Sequence, residues 1–430
     1  MESAILKKIL LDQKEEMYSL HQRVKLIERD CFSDYLKYID SKQTKVITGV
    51  RRSGKSIIAY QLLKNRPFAY ANFDDELLAN IAAEDLNKII EVFYEIYPDF
   101  KYIFFDEIQN VAGWELFINR LQRQGFNLVI TGSNAKLLSK ELATHLTGRH
   151  IALELFPFSF KEFLKYHEIS ADISMLSTKN TAVLKKKFEE YLISGGFPDI
   201  VREPFNQRIY IQSLYSNIVD KDVILRHKIR FGNTLKNISN NLMATPSSPI
   251  SFNKIKNTFN LKSIHTAQNY ISFIEETYLI FLLQKFSYKS KERSIANRKL
   301  YVIDSGLITV LGFNFSRNLG KIYENIVFLE LMRQKSNNEI YYWQDPYFGE
   351  VDFIIKEKTK IIEIIQVCYD MQDAETKKRE LKSLMHASKM LDCKNLTIIT
   401  EDTEKTETTN GETINYVPLW KWLLNNSSKK

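Results

Sequence analysis

The sequence predicts an α/β chain in three parts: a parallel-sheet domain, a mostly helical region, and a second, smaller α/β domain. Three observations carry that expectation. Between residues 45 and 131, short apolar runs alternate with amphipathic stretches, which implies βαβ units and a parallel sheet. From about Leu164 to Leu283 the periodicity is helical. After Tyr301, β-rich runs return around helical segments. The expected divisions are 1–160, 161–300 and 301–430, and 430 residues suggest two to four domains at roughly 100–200 residues each.

Taken in order, the first 40 residues are helical in pattern, with Ile5, Ile9 and Leu10 at helical spacing. Lys45–Thr48 is a short β run leading into a glycine-containing loop, and Ile57–Leu63 is helix. PFAYANF at 67–73 is a strand and Leu86–Tyr97 an amphipathic helix. Tyr102–Phe105 is a continuous apolar run, as expected of a strand covered on both faces. Trp114–Gln124 is helix, Leu128–Thr131 a second buried strand, and Ile151–Leu155 a candidate further one. PFSFKEF at 157–163 is an aromatic-rich connector, and SGGFPD at 194–199 is a glycine–proline break between helices. Ser251–Leu283 resembles a winged helix-turn-helix, with a turn near Asn260–Ser263. Helix is then expected over Asn318–Met332 and Thr376–Met390. Strands are expected over Ile340–Trp343, Glu350–Ile355, Ile361–Val367 and Leu396–Thr400, before an acidic tail with a helix near Trp420.

Composition is that of an ordinary globular protein: 44% hydrophobic and 26% charged residues. No apolar run approaches the ~18 residues of a membrane span. The N-terminal stretch lacks a signal-peptide pattern, and Cys31, Cys368 and Cys393 form no disulfide framework or metal cluster. The expectation is a cytoplasmic protein with no membrane association. The net charge is +8, and residues 220–299 carry fourteen Lys and Arg against five Asp and Glu. That basic segment is a candidate nucleic-acid footprint; the plain alternative is a solvated surface.

GVRRSGKS at 49–56 fits G-x-x-x-x-G-K-[ST]. Gly49, Val50, Arg51, Arg52, Ser53, Gly54, Lys55, Ser56 and Ile57 are the candidate phosphate-binding residues. The glycines let the loop curl so that backbone N–H groups face phosphate oxygens. Lys55 brings a point charge to the β and γ phosphates, and the Ser56 hydroxyl is a candidate Mg²⁺ ligand. The next helix aims its N-terminal dipole at the same anion. Tyr102–Phe105 ends in Asp106–Glu107: Asp106 is the second candidate for the Mg²⁺ shell, and Glu107 can polarise an attacking water. Past Leu128–Thr131, Ser133 and Asn134 are candidates to contact the γ-phosphate or that water, or to cap the next helix. Arg149 is a candidate arginine finger, in cis or in trans, or a structural ion pair.

Assembled, the chain resembles a prokaryotic AAA-type P-loop ATPase family with a helical, winged-helix region and a C-terminal domain of uncharacterised function. The resemblance rests on ITGVRRSGKS at 47–56, NFDDELL at 72–78, YIFFDEIQNVAGWE at 102–115, ITGSNAKLLS at 130–139 and LTGRHIALELFPFSF at 146–160. It continues through YLISGGFPD at 191–199, KDVILRHKIR at 221–230, LYVIDSGL at 300–307, KIYENIVFLEL at 321–331 and GEVDFII at 349–355. It implies binding of ATP with Mg²⁺, and hydrolysis. It further implies that the C-terminal domain is similar to restriction endonucleases, with Glu324, Asp352 and Gln366 aligned on their metal-binding positions. Cys368 stands where those enzymes carry a lysine, so the cluster reads as degenerate, lacking its cation. Glu363 cannot substitute, because strand alternation puts it on the other face from Gln366.

The leading expectation is an ATPase whose turnover shifts the later domains or recruits a protein client, with self-association if Arg149 acts in trans. An ATP-gated DNA-binding protein or nuclease, and a regulatory module that binds ATP without turning it over, are the alternatives.

Overall fold

In the computed structural model the described residues are 2–134, 148–174, 176–312, 319–334, 338–371, 373–409 and 412–425. Residues 135–139 and 146–147, parts of two motifs quoted above, lie outside them. The chain forms two compact units: residues 1–158 with 276–278, and residues 159–275 with 279–430.

The first unit is built on a five-stranded parallel sheet. Its strands are β1 (Thr44–Thr48), β2 (Phe68–Asn72), β3 (Tyr102–Asp106), β4 (Asn127–Gly132) and β5 (His150–Glu154), in spatial order β2-β3-β4-β1-β5. The three inner strands are almost wholly buried, because helices cover both faces and every side chain needs an apolar partner. Alternation then divides each strand between two cores. Ile103, Phe105, Leu128 and Ile130 pack with the helices Ser3–Arg23, Leu86–Ile96 and Trp114–Arg123 through Leu6, Leu10, Ile89, Phe93, Phe117 and Leu121. Phe104, Val129 and Ile47 pack on the other side with Ile58, Leu62 and Leu63 of the helix Lys55–Leu63. Parallel strands put all their C-terminal ends on one edge of the sheet, where Thr48, Asp106 and Gly132 end their strands.

The second unit opens with helices. The expected aromatic connector is the start of one of them: Phe160–Tyr166 begins at a reciprocal cap in which Ser159 Oγ accepts from the Glu162 N–H (3.1 Å) and Glu162 accepts from the Ser159 N–H (2.9 Å). Helix Thr178–Ser194 ends at the glycine pair. Gly195 has φ +72°, and a Cβ there would stand 1.9 Å from Asp304 Oδ1. Asp304 in turn accepts from the N–H groups of Gly196 (2.7 Å) and Gly306 (2.9 Å). Helix Gln207–Asn217 runs on as a π-helical segment, Ile218–Leu225.

The expected mostly helical middle contains a small antiparallel sheet: β6 (Ser248–Ile250), β7 (Ile280–Leu283) and β8 (Arg298–Val302), in order β6-β8-β7. Helices Phe252–Thr258 and Ile264–Glu276 lie between β6 and β7 in sequence. The expected division at 300/301 falls inside β8, and that at 160/161 inside a helix. The strands were hidden because β6 is three residues long and β7 is an apolar run that a helix can also bury.

A six-stranded mixed sheet completes the unit: β9 (Asn338–Asp345), β10 (Gly349–Glu357), β11 (Lys360–Val367), β12 (Asn395–Thr400), β13 (Lys405–Thr409) and β14 (Glu412–Pro418), in order β13-β14-β12-β11-β10-β9. β9, β10 and β11 are antiparallel, and β11, β12 and β14 parallel, with helix Ala374–Leu391 crossing from β11 to β12. The acidic tail therefore supplies two strands; Ile414 and Tyr416, two residues apart, both face the core. Among the described residues no helix is long and apolar enough to cross a membrane.

Candidate functional site

At the C-terminal edge of the parallel sheet, β1 runs straight into the loop 49–54. Gly49 has φ +151°, and a Cβ on it would meet the Leu155 carbonyl oxygen at 2.1 Å, so only glycine lets the chain after β5 lie this close. Gly54, at φ +95°, turns the loop into helix Lys55–Leu63. Behind the loop, buried Arg29 donates to the carbonyls of Ser53 (3.0 Å) and Phe156 (2.6 Å) and lies over the Phe158 ring. Tyr278 donates to Thr48 Oγ1, at the end of β1, at 2.7 Å.

Lys55 folds over the loop it follows. Its Nζ donates to the carbonyls of Val50 (3.1 Å) and Gly49 (3.2 Å) and stands 3.7 Å from Glu107 Oε1. The structure thus brings together three of the predicted charged groups, Lys55, Asp106 and Glu107. Asp106 is buried at the end of β3 and accepts from the hydroxyls of Thr131 and Ser56. Burial and the neighbouring Glu107 charge push its carboxyl up to about 6, against the pull of Ser56, Thr131 and Lys55. Glu107 behaves oppositely. Burial alone would raise it, but Lys55, Gln109, Arg51 and the Ser133 N–H together hold it below the ordinary carboxylate range. Its backbone is in the left-handed region (φ +51°), a conformation that costs of order 1–3 kcal/mol and clusters at functional sites.

The two adjacent acids are therefore prepared differently: one hydrogen-bonded to the Ser56 hydroxyl and easily protonated, the other ionised beside an ammonium. A hydroxyl and a carboxylate are hard oxygen donors of the kind Mg²⁺ takes, the rest of its shell coming from water and nucleotide phosphates. Among the described residues no group of three or more His, Cys, Asp or Glu could hold a metal by itself.

Sequence reasoning missed two members of this site. Thr131 lies next to Asp106 across the β3–β4 pairing, where Phe105 is opposite Ile130; its hydroxyl donates to Asp106 and accepts from the Glu107 N–H at 3.0 Å. Gln109 donates to the Glu107 carboxylate. A polar residue ending an otherwise apolar strand was the available signal for Thr131. Ser133 is buried and its N–H donates to Glu107 at 3.3 Å; Asn134 is buried one residue further on. Arg149 is elsewhere. It is exposed, and its carbonyl accepts from the N–H of Thr44, the first residue of β1. At about 3.3 Å per residue, a five-residue strand sets it roughly 13 Å from the loop end. The chain does not bring Arg149 to its own phosphate loop.

The second predicted constellation does converge. Glu324 on helix Leu319–Arg333, Asp352 on β10 and Gln366 on β11 meet in the interior of the second unit. The missing cation is present, from a residue not considered: Lys299 on β8, 2% exposed, with Nζ 2.5 Å from Glu350, 2.8 Å from Glu324 and 2.9 Å from Asp352. Cys368, pushed up to about 11 by burial and nearby acids, stays a neutral thiol. Glu363 does lie on the other side of its strand, accepting from Thr397 at 2.8 Å.

Comparison with known proteins agrees with the first unit's architecture. Residues 41–164 match an AAA domain, residues 185–317 a domain of unknown function (DUF8612), and residues 319–422 another (DUF4143). An uncharacterised protein of Methanocaldococcus jannaschii is 40% identical over 437 residues, covering 98% of this chain and 95% of that protein. An uncharacterised protein of Haemophilus influenzae is 30% identical over 383 residues, covering 84% and 90%. Among solved structures, a Walker-type ATPase of Pyrococcus abyssi, PABY2304, is 15% identical with a TM-score of 0.45, covering 67% of this chain and 97% of that one. The Aeropyrum pernix Orc1 protein, solved in complex with DNA, is 11% identical with a TM-score of 0.32, covering 67% and 92%. Scores this low bear on neither function nor partners. The chain carries an AAA-type ATPase domain followed by two domains of unknown function, and it belongs to the family of these archaeal and bacterial proteins.

Proposed function

We propose that the chain binds ATP with Mg²⁺ at the 49–57 loop and hydrolyses it, and that turnover drives rearrangement of the second unit or recruits a partner. One observation carries this reading: Lys55, Ser56, Asp106, Glu107 and Thr131 converge at one strand edge, with Glu107 kept ionised beside Lys55. In this reading the Lys55 ammonium leaves two backbone carbonyls for the β and γ phosphates. Ser56 and Asp106 would hold Mg²⁺, which supplies further neutralisation of phosphate charge. Glu107, fixed by Gln109 and the Ser133 N–H, orients the attacking water and receives its proton. Ser133 and Asn134 border the same place. The test is phosphate release and ATP binding by wild type and Glu107→Gln. The expected result is retained binding with a rate lower by about 10²–10⁴-fold. Equal, near-zero rates in both proteins would leave a module that only binds ATP.

A second reading concerns nucleic acid. The order β6-β8-β7, with helices Phe252–Thr258 and Ile264–Glu276 between β6 and β7, supports a winged helix. Lys254, Lys262, His265, Gln268 and Asn269 are exposed on its helical part, and Lys289 and Lys291 on the arm between β7 and β8. Three of the segment's cations pair with acids of the same segment, in Arg226–Asp222, Lys236–Asp220 and Lys289–Glu292, which leaves its excess unchanged, while Lys299 is buried and withdrawn from the surface. Binding of duplex DNA measured at two salt concentrations checks it: log K should fall steeply with log salt, and no binding at either concentration would end this reading.

A further inference from the structure

The resemblance to nucleases implies a divalent metal at Glu324, Asp352 and Gln366, yet one Glu324 oxygen, both Asp352 oxygens and the Gln366 oxygen already have donors. Glu324 Oε1 accepts from Lys299 and, at 2.6 Å, from the Tyr301 hydroxyl. Asp352 Oδ1 accepts from Lys299, and Oδ2 from the Val367 N–H at 2.9 Å. Gln366 Oε1 accepts from the Asp352 N–H at 3.3 Å, while its amide donates to Glu380 at 2.6 Å. An ammonium has three N–H donors, and here three carboxylates surround it, so its capacity is filled. The residues do not fit a metal in addition to that ammonium.

We infer that Lys299 is a built-in cation occupying the place of a divalent metal, so that the cluster is metal-free and serves to tie β8 to the helix Leu319–Arg333 and to β10. Two features make the substitution permanent. Lys299 sits on the central strand of the three-stranded sheet, paired with Pro249 on one side and Leu283 on the other, so its backbone cannot retreat. A tethered ammonium also competes as an intramolecular ligand, at an effective concentration a free ion has to exceed. Burial would discourage the charge, but Asp352, Glu324, Tyr301 and Glu350 outweigh it and hold Lys299 well above the ordinary lysine range. Burial and the neighbouring Asp352 push the Glu324 carboxyl up to about 8, against the pull of Lys299 and Tyr301.

The experiment is Mn²⁺ binding to the full chain without nucleotide, followed by electron paramagnetic resonance of free Mn²⁺, for wild type, Asp352→Asn, Lys299→Met and the double variant. Wild type and Asp352→Asn should bind Mn²⁺ alike. Lys299→Met should gain one site at least tenfold tighter than any in wild type, and the added Asp352→Asn change should remove it. A wild-type site lost in Asp352→Asn overturns the inference, as does a folded Lys299→Met chain that gains none. If Lys299→Met does not fold, the comparison of wild type with Asp352→Asn decides alone. The outcome is independent of ATP turnover, because no nucleotide is present.

Discussion

Lys55 and Lys299 are both buried and both paired with carboxylates, and they are held in opposite ways. Lys55 follows a glycine in a loop, rests on two backbone carbonyls at 3.1 and 3.2 Å, and keeps 3.7 Å from its nearest carboxylate. Lys299 is set in a central strand and sits within 2.9 Å of three carboxylates. The acceptors under Lys55 are uncharged carbonyls at slightly long distances, so Lys55 can exchange them for an incoming anion without leaving a buried charge on either of them. Charge-assisted bonds in a dry interior are strong only while complete, so Lys299 cannot leave without stranding three acids. The same side chain is a movable charge in one place and a rivet in the other.

The sharpest way to break this contrast is to remove each ammonium in turn. Lys55→Met should lower phosphate release by about 10²–10³-fold, the scale for losing one preorganised charge contact to a transition state. It should cost less in urea unfolding, about 1.5–3 kcal/mol, since hydrogen bonds to uncharged carbonyls are lost. Lys299→Met should do the reverse, costing about 3–5 kcal/mol through uncompensated buried acids, with phosphate release per folded molecule little changed. If both variants lost stability equally, the contrast would collapse.

A pH series is the next lever. The folded Asp106 carboxyl, raised to about 6, lies above its unfolded value, so the folded unit binds that proton more tightly. Its stability contribution is present at low pH and is lost as pH rises toward 6. Function runs the other way, because Mg²⁺ needs the ionised form: Mg²⁺-dependent ATP affinity should fall about tenfold per unit below pH 6. An affinity unchanged between pH 7 and pH 5 would remove Asp106 from the metal shell. Thr131→Val should slow phosphate release by about three- to tenfold, the weight of one neutral hydrogen bond positioning the acid pair. Arg149→Ala should change the rate by no more than about twofold at low protein concentration, since this residue is remote from its own loop. A loss that grows with protein concentration would show instead that it reaches a second copy.

Much of the first unit was legible because its inner strands are short, continuous apolar runs and its loop is a fixed pattern of glycines. Local sequence there determines local geometry, as at Gly49 and Gly54. The acid pair was readable for the same reason, at the end of a strand that could only be buried. Thr131 was not, since its role depends on which strand neighbours β3, a fact of topology. Lys299 was harder still. In the sequence it is one lysine in a basic segment, 25 residues before Glu324 and 53 before Asp352, and only the β6-β8-β7 pairing turns it inward. The glycine motif SGGFPD was recognised as a break, but nothing local named Asp304 as the residue that requires it.

That clasp has a consequence for how such a chain can change over generations. A side chain at Gly195 would collide with Asp304, and without Asp304 the Gly196 and Gly306 N–H groups would lose their acceptor. Neither partner can drift alone, although 108 residues separate Gly196 from Asp304. The two short motifs are therefore one heritable unit, and a graft or chimera with its junction between them should come from a parent matched at both ends.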